Sequence, residues 1–304
     1  MVKGRVINLT GGLYTVLLDD DTTAKVKARG KLRSEKKYVV NEKSLSNKKI
    51  PQVVKSSPKV GDIVYIENDM IDHYDERKNE LIRPDIANVD QILLIFAAKE
   101  PLFSFYLLDL FILNVVKNNI YPIICVTKID LLTSDELFDL KSKLHYYEKL
   151  GYKVFYTSSK ESIGINEIHD VLRNKITIFS GQTGAGKSSL INEIIPGFNL
   201  KTQEISNALG RGKHTTREIS LYSYLDGLIG DTPGFSKLEA INIKFEDLDK
   251  LFIEFKNYHC KFNDCNHLRN SKGCGIIEAL DKGLILESRY NSYLRLYEEL
   301  KNKR

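Results

Sequence analysis

Ile176-Thr177-Ile178-Phe179-Ser180-Gly181-Gln182-Thr183-Gly184-Ala185-Gly186-Lys187-Ser188-Ser189 decides the fold. Its β-branched and aromatic opening, 176–180, predicts a buried strand. The strand runs into Gly181-x4-Gly186-Lys187-Ser188, a full match to the G-x-x-x-x-G-K-[ST] phosphate loop. Glycines let backbone N–H groups converge on phosphate oxygens without a Cβ in the way. Lys187 supplies a point charge for the β- and γ-phosphates, and the Ser188 hydroxyl a ligand for Mg²⁺. A helix is predicted over 188–195, its N-terminal dipole facing the same phosphates, with Pro196-Gly197 as its stop. Gly181, Gln182, Thr183, Gly184, Ala185, Gly186, Lys187, Ser188 and Ser189 are therefore the expected phosphate-binding set.

Upstream, from about residue 85, short apolar strands alternate with helical patterns. Strands are expected over 91–97, 121–126 and 152–157, with helices over 103–118 and 165–173. Thr133-x-x-Glu136 reads as a capping box opening a further helix that ends at Gly151. This is βαβ grammar, which gives a parallel sheet with ligands at the carboxyl ends of its strands. Two of those ends carry chemistry. Thr127-Lys128-Ile129-Asp130 follows one strand and Ser158-Ser159 follows another. A T-K-x-D segment suits guanine: the Asp130 carboxylate accepts from N1–H and the exocyclic amine, a donor pair adenine lacks. The Lys128 stem would lie along the ring, and a backbone N–H near Ser158-Ser159 would meet the base oxygen.

Downstream come Gly210-Arg-Gly-Lys-His214-Thr215-Thr216-Arg217, a hairpin over 218–225 turning at Asp226-Gly227, and Leu228-Ile-Gly-Asp231-Thr-Pro-Gly234. Asp231 is expected in the Mg²⁺ shell and the Gly234 N–H at the γ-phosphate. Thr215 or Thr216, with Thr216 preferred, would complete the shell when the triphosphate is bound. The base readers precede the phosphate loop here, whereas the usual order is loop, switches, base readers. Neighbours in a parallel sheet need not follow chain order, so a circular permutation keeps the site intact.

The charge is uneven. A net +5 conceals a window, residues 25–59, with twelve Lys/Arg against Glu35 and Glu42. Within it Lys25, Lys27, Arg29, Lys31 and Arg33 alternate with Ala24, Val26, Ala28, Gly30 and Leu32. If one strand runs through, all five cations share a face, which predicts a polyanionic partner, nucleic acid above all. Short alternating runs at 4–9, 13–18, 23–29 and 62–67, separated by Gly, Asp and Pro clusters, predict an OB-type barrel over 1–70. Residues 34–57, polar and lysine-rich, read as a loop.

Near the C-terminus stands Cys260-x4-Cys265-x-His267-x6-Cys274. Three thiolates and an imidazole form a closed tetrahedral set suited to one structural Zn²⁺, with no open position for catalysis. Clustered cysteines of this kind fit an intracellular metal site better than a disulfide framework, and Cys125, alone in a strand, reads as core. Helices are expected around the site over 245–256, 276–282 and 288–301, the last with Tyr293, Leu294, Tyr297 and Leu300 on one stripe. No apolar signal core follows Met1, and the most apolar stretch, 102–116, is too short to span a bilayer and carries Asp109. A cytoplasmic protein without membrane contact is expected.

Taken together, these motifs in this order resemble the RsgA (YjeQ/YloQ) family of circularly permuted GTPases that act on the small ribosomal subunit, and the resemblance covers essentially the whole chain. It implies an α/β fold with three parts: an N-terminal OB-type β-barrel (1–70), a circularly permuted P-loop GTPase domain (71–240) and a C-terminal helical zinc-binding domain (241–304). It further implies a monomer that binds GTP and GDP with Mg²⁺, contacts the 30S subunit and its rRNA, and hydrolyses GTP late in 30S maturation. Phe235 stands where many GTPases place a water-orienting Gln, and the resemblance suggests His214 for that work; RNA contact or packing is the alternative role. Thr127 replaces the commoner Asn. Two other functions fit parts of the pattern: a generic P-loop ATPase or small-molecule kinase, against which Asp130 argues, and an RNA chaperone whose affinity is set by nucleotide with little turnover.

Overall fold

A computed structural model describes residues 1–33, 35–40, 49–54, 57–82, 84–198, 219–231 and 243–302. His214, Thr215, Thr216, Gly234 and Phe235 lie outside the described residues.

The chain opens with β1 (Val2–Thr10) and β2 (Leu13–Leu18), joined by Gly11-Gly12, both at positive φ. A two-residue hairpin loop needs that conformation to match the twist of its strands, and glycine adopts it freely. Then follow β3 (Thr23–Ala28), β4 (Glu35–Val40), β5 (Lys49–Val54), β6 (Ile63–Glu67) and β7 (Met70–Tyr74). Five of these close into a barrel in the order β1-β2-β3-β7-β6, with β3 and β7 parallel and the other pairs antiparallel. This is the OB arrangement. Val6, Val16, Val26, Val64 and Ile71 fill its interior.

Two expectations for this region are corrected. The stretch 34–57 is not simply a loop: β4 and β5 pair as an antiparallel ribbon, from Glu35 opposite Val54 to Val40 opposite Lys49. Its Tyr38-Val39-Val40 and Val53-Val54 runs favour strand, a signal the surrounding lysines obscured. Nor does β3 continue through Arg33. It ends at Ala28, and Gly30–Arg33 forms a 3-10 turn, so the five cations do not share one strand face. The barrel closes with β7, which runs to Tyr74, beyond the expected boundary at residue 70.

A short ribbon, β8 (Glu80–Leu81) with β9 (Ile86–Ala87), leads into the second unit. There β10 (Gln91–Ala97), β11 (Tyr121–Thr127), β12 (Lys153–Tyr156), β13 (Ile176–Gly181), β14 (Leu221–Tyr224) and β15 (Gly227–Asp231) form a sheet. The order is β12-β11-β10-β13-β15-β14, parallel except for the edge strand β14. Every residue of β10 and of β13 is buried, the mark of a strand covered on both faces. The helices are α1 (Phe105–Val116), α2 (Ser134–Lys149), α3 (Asn166–Leu172) and α4 (Lys187–Ile194). The capping box forms: Thr133 Oγ1 accepts from the Glu136 N–H at 3.2 Å and Glu136 Oε2 from the Thr133 N–H at 2.8 Å.

The C-terminal region carries helices Gly275–Asp281 and Glu287–Lys301. The continuous helix expected over 245–256 is broken into a 3-10 turn (Phe245–Asp247), one α turn (Leu248–Leu251) and a second 3-10 turn (Phe255–Asn257). Phe252, Glu254 and Phe255 are all buried in this segment. A straight helix would put Phe252 and Phe255 on one face and turn Glu254 away from it, so the backbone bends to bury all three and tertiary packing overrides helix propensity. The helix α1 serves two cores. Leu108, Phe111, Ile112 and Val115 pack on the sheet, while Leu110 and Leu113 join the C-terminal core. Among the described residues, no helix is long and apolar enough to cross a membrane.

Candidate nucleotide site, metal cluster and basic face

The expected phosphate and base elements meet at the carboxyl ends of β10, β11, β12, β13 and β15. Gly181 ends β13 so close to its neighbour that an added Cβ would lie 2.0 Å from the Ile95 carbonyl oxygen. Gly184 and Gly186 both sit at φ +79°, the left-handed region that turns successive N–H groups into one concavity. Gly186 is the N-cap of α4, and Leu190 N–H donates to its carbonyl at 2.9 Å, so the helix N-terminus opens directly behind the loop. Thr183, Ser188 and Ser189 are exposed at its rim, Gln182 is half-buried, and Ala185 is buried beneath. The Lys187 ammonium donates to Asp231 at the end of β15. The lysine and the expected metal-shell carboxylate thus converge on one point.

The base-reading segment joins this cradle from β11. Thr127 is buried, and its hydroxyl donates to the carbonyl of Ala185 in the phosphate loop. The hydroxyl in place of the commoner Asn amide is therefore used to lock the two elements together. Lys128 takes a left-handed backbone (φ 58°) and its ammonium donates to the carbonyl of Glu100. Ile129 begins a short 3-10 turn that presents Asp130. Ser158 Oγ donates to Asp130 Oδ1 at 2.6 Å, orienting the carboxylate. The Ser158 N–H is already engaged with the Ile163 carbonyl at 3.1 Å, which leaves Ser159 as the expected backbone donor to a base oxygen.

In the C-terminal region the donor atoms of Cys260, Cys265, His267 and Cys274 all lie within 4.8 Å of one another. Cys260 Sγ is 3.7 Å from Cys274 Sγ, and His267 Nδ1 is 3.4 and 3.6 Å from those two sulfurs. The spacing is that of a possible four-ligand metal site. Burial holds the His267 pKa below its ordinary value, keeping the ring in the neutral form that can ligate. The C-terminal helix braces the ligand loop: Tyr290 Oη donates to the His267 carbonyl at 2.9 Å and Tyr293 Oη to the Asn266 carbonyl at 3.0 Å. Cys125 is far from this chemistry. It is fully buried in β11, and burial pushes its thiol up to about 12.

The basic face is smaller than the sequence suggests. Lys25 and Lys27 are exposed on β3, on the side opposite Val26 and Ala28, and make no ion pair among the described residues. Arg29, by contrast, pairs with Asp72 and with Glu67 (2.8 Å), and Lys31 pairs with Asp72 at 3.0 Å. Lys59 is likewise held by Glu80 and Asp85, at 3.0 and 2.9 Å. These acidic partners come from distant positions, which no local charge count reveals. The sequence reading also missed Glu100, whose role is played by a backbone carbonyl and so leaves no trace in residue type.

Comparison with known proteins agrees with this geometry. Residues 74–241 match the family described as RsgA GTPase. The Small ribosomal subunit biogenesis GTPase RsgA of Halalkalibacterium halodurans is 41% identical over 310 residues, covering 100% of this chain and 98% of that protein. The protein of the same name from Bacillus subtilis is 40% identical over 315 residues, covering 100% and 99%. Among solved structures, YjeQ from Thermotoga maritima superposes with a TM-score of 0.81 at 32% identity, covering 100% of this chain and 99% of that one. YloQ, described as a circularly permuted GTPase, gives 0.78 at 34%, covering 100% and 96%.

Proposed function

Because this chain belongs to the RsgA GTPase family, we propose that it binds the 30S subunit and hydrolyses GTP during late maturation of that particle. It is a GTPase of small ribosomal subunit biogenesis. One observation carries the site assignment: the Thr127 hydroxyl bonds the Ala185 carbonyl, so a guanine-reading carboxylate and a phosphate cradle share one cleft. In this reading Asp130 and Lys128 take the base, with the Ser159 N–H at its oxygen. Residues 181–189 take the phosphates, and the Gly234 N–H meets the γ-phosphate.

Mg²⁺ suits the donors at the cleft, a Ser188 hydroxyl beside the lysine that touches Asp231, because hard oxygen ligands are what it prefers. Thr216 would complete that shell. Zn²⁺ suits the cysteine cluster. A tetrahedral site with metal–sulfur bonds of about 2.3 Å and a metal–nitrogen bond of about 2.1 Å spaces its sulfurs about 3.8 Å apart and sulfur from nitrogen about 3.6 Å. The 3.7, 3.4 and 3.6 Å separations here match. Zinc would cross-link the ligand loop and supply no chemistry to the nucleotide. His214 is assigned to orienting the attacking water, since Phe235 cannot. Lys25, Lys27 and Arg33, with Arg29 and Lys31 when their acidic partners yield, would meet rRNA phosphates. The protein acts as a monomer in the cytoplasm.

The test is turnover of GTP and ATP by the full chain, titrated with purified 30S particles. Slow GTP hydrolysis that rises with 30S, and no ATP hydrolysis, is expected. Equal use of ATP, or indifference to 30S, would overturn the proposal. His214→Ala should keep 30S binding with a non-hydrolysable GTP analogue while losing the stimulated turnover.

A further inference from the structure

The geometry points to a further positioning element of the nucleotide site: Glu100 and Pro101, after β10, hold Lys128 and Gly184 in the places a nucleotide needs them. This rests on the guanine-nucleotide reading of the cleft and adds to it a segment that carries no motif.

The strand β10 lies between the base-reading strand and the phosphate-loop strand, with Ala97 opposite Thr127 and Ile95 opposite Gly181. Whatever follows β10 must therefore emerge between the two. A nucleotide with its base at Asp130 and its phosphates at Gly184 to Lys187 has its ribose in that same interval. The backbone of Glu100 turns there, at φ 57°, and its carbonyl accepts from the Lys128 ammonium. A lysine side chain is long and flexible, and holding it along a base restricts its rotamers. The Glu100 carbonyl fixes the ammonium in advance.

Pro101 acts on the other partner. Its Cδ lies 3.6 Å from where a Cβ on Gly184 would be, so the rigid ring stands beside the turn of the phosphate loop and fills the space a side chain there would take. The Lys128 stem reaches the same loop, its Cε 3.8 Å from the Cβ position of Gly186. On the far side Lys99 Nζ pairs with Glu136 at 3.2 and 3.4 Å, and Glu136 is already fixed by the capping box of α2. The segment is thus held at one end by α2 and bears at the other on both halves of the site. A connection that merely joined β10 to α1 would need none of these three contacts.

The experiment measures fluorescent GDP affinity of the full chain for Pro101→Gly, alone and combined with Lys128→Met. If Pro101 both places the Glu100 carbonyl for Lys128 and stands against the Gly184 turn, Pro101→Gly weakens GDP about tenfold by itself and only about threefold in the Lys128→Met background, where the loop effect alone is left to lose. Lys99→Met, which removes only the exposed tether to Glu136, should weaken GDP about threefold, with Lys99→Arg restoring it. This second variant keeps the test intact should Pro101→Gly fail to fold. Wild-type affinity in both Pro101→Gly and Lys99→Met, or equal losses in the two Lys128 backgrounds, would overturn the proposal while leaving the nucleotide site standing. Failure of the wild-type chain to bind GDP would instead remove the reading on which it rests.

Discussion

Arg289 of the C-terminal helix donates to Oδ1 of Asp109 in α1 at 2.6 Å, and both side chains are completely buried. The guanidinium is also bonded by Glu254, at 2.8 Å, and stacks over the Phe252 ring at 4.5 Å. Tyr147 of α2 donates to the same Asp109 oxygen at 2.7 Å. The acid in the middle of the most apolar stretch of the chain is thereby explained: it ties the GTPase domain to the C-terminal region that carries the cysteine cluster.

Removing one member of such a cluster leaves the others charged in a medium that cannot solvate them. Arg289→Met should lower unfolding free energy by about 3–5 kcal/mol, read by urea denaturation. Combining it with Asp109→Leu and Glu254→Leu should recover most of that loss, because no buried charge is then left unpaired. If Arg289→Met is as stable as wild type, the cluster is not holding the two regions together.

The metal should be one zinc per chain by elemental analysis, and Cys265→Ala should release it. Chelation should lower the melting temperature of the C-terminal region, since binding energy at a structural site is folding energy. GDP affinity should survive, because none of the four ligands lies in the nucleotide cleft. A zinc-free chain with an unchanged melting profile would refute the site.

Thr127→Val removes the donor from the buried Ala185 carbonyl while keeping the side-chain shape. An unsatisfied buried acceptor costs about 1–3 kcal/mol, which should emerge as weaker binding of GDP and GTP alike. Thr127→Ser retains the hydroxyl and should bind close to wild type. Wild-type binding by Thr127→Val with a loss in Thr127→Ser would mean that the methyl group, not the hydrogen bond, matters.

Asp130→Asn should move preference from guanine toward xanthine nucleotides, a change on the order of 1–3 kcal/mol for a bidentate contact. Ser158→Ala should weaken guanine binding without changing base preference, since it frees the carboxylate to rotate but leaves its chemistry alone. Competition titrations with GDP, XDP and ADP separate the two effects.

The basic face gives predictions of opposite sign. Lys25→Glu with Lys27→Glu should weaken 30S binding and flatten its dependence on salt, because fewer counterions are released. Asp72→Asn should strengthen binding and steepen that dependence, because it frees Lys31 and leaves Arg29 paired with Glu67 alone. Hydrogen bonds from Lys31 and then His73 hold the Asp72 carboxyl below its ordinary range. The pairing therefore lasts as pH falls and is lost only below that lowered value. The gain in Asp72→Asn should accordingly be the same from about pH 6 to pH 8. Weaker binding by Asp72→Asn would show that the pairs order the face for RNA rather than mask it.

Much of this protein was legible in its sequence because the relevant chemistry is local. A phosphate loop needs its glycines and lysine at fixed spacing on a strand–loop–helix, so residues 176–189 reveal it without reference to anything else. The capping box at Thr133 and Glu136 is equally local, and so are the spacings that bring Thr127 to Asp130 to a strand end and gather Cys260, Cys265, His267 and Cys274 into one cluster. The order of those motifs also gave the permutation, since a parallel sheet can be assembled from strands taken in any chain order.

Tertiary structure alone decided what depends on partners far along the chain. Lys31 and Lys59 look like free charges until Asp72, Glu80 and Asp85 are folded against them. Arg289 looks like a surface residue of an amphipathic helix until Asp109, 180 residues away, is brought beneath it. The bend over 245–256 exists because Phe252 and Glu254 must both turn inward, a demand set by that buried arginine rather than by helix propensity. Glu100 contributes a carbonyl that every residue type possesses, so only the sheet order, which sets β10 between the two halves of the site, could single it out. Residue identity records local geometry well, whereas burial and long-range pairing are properties of the whole packed chain.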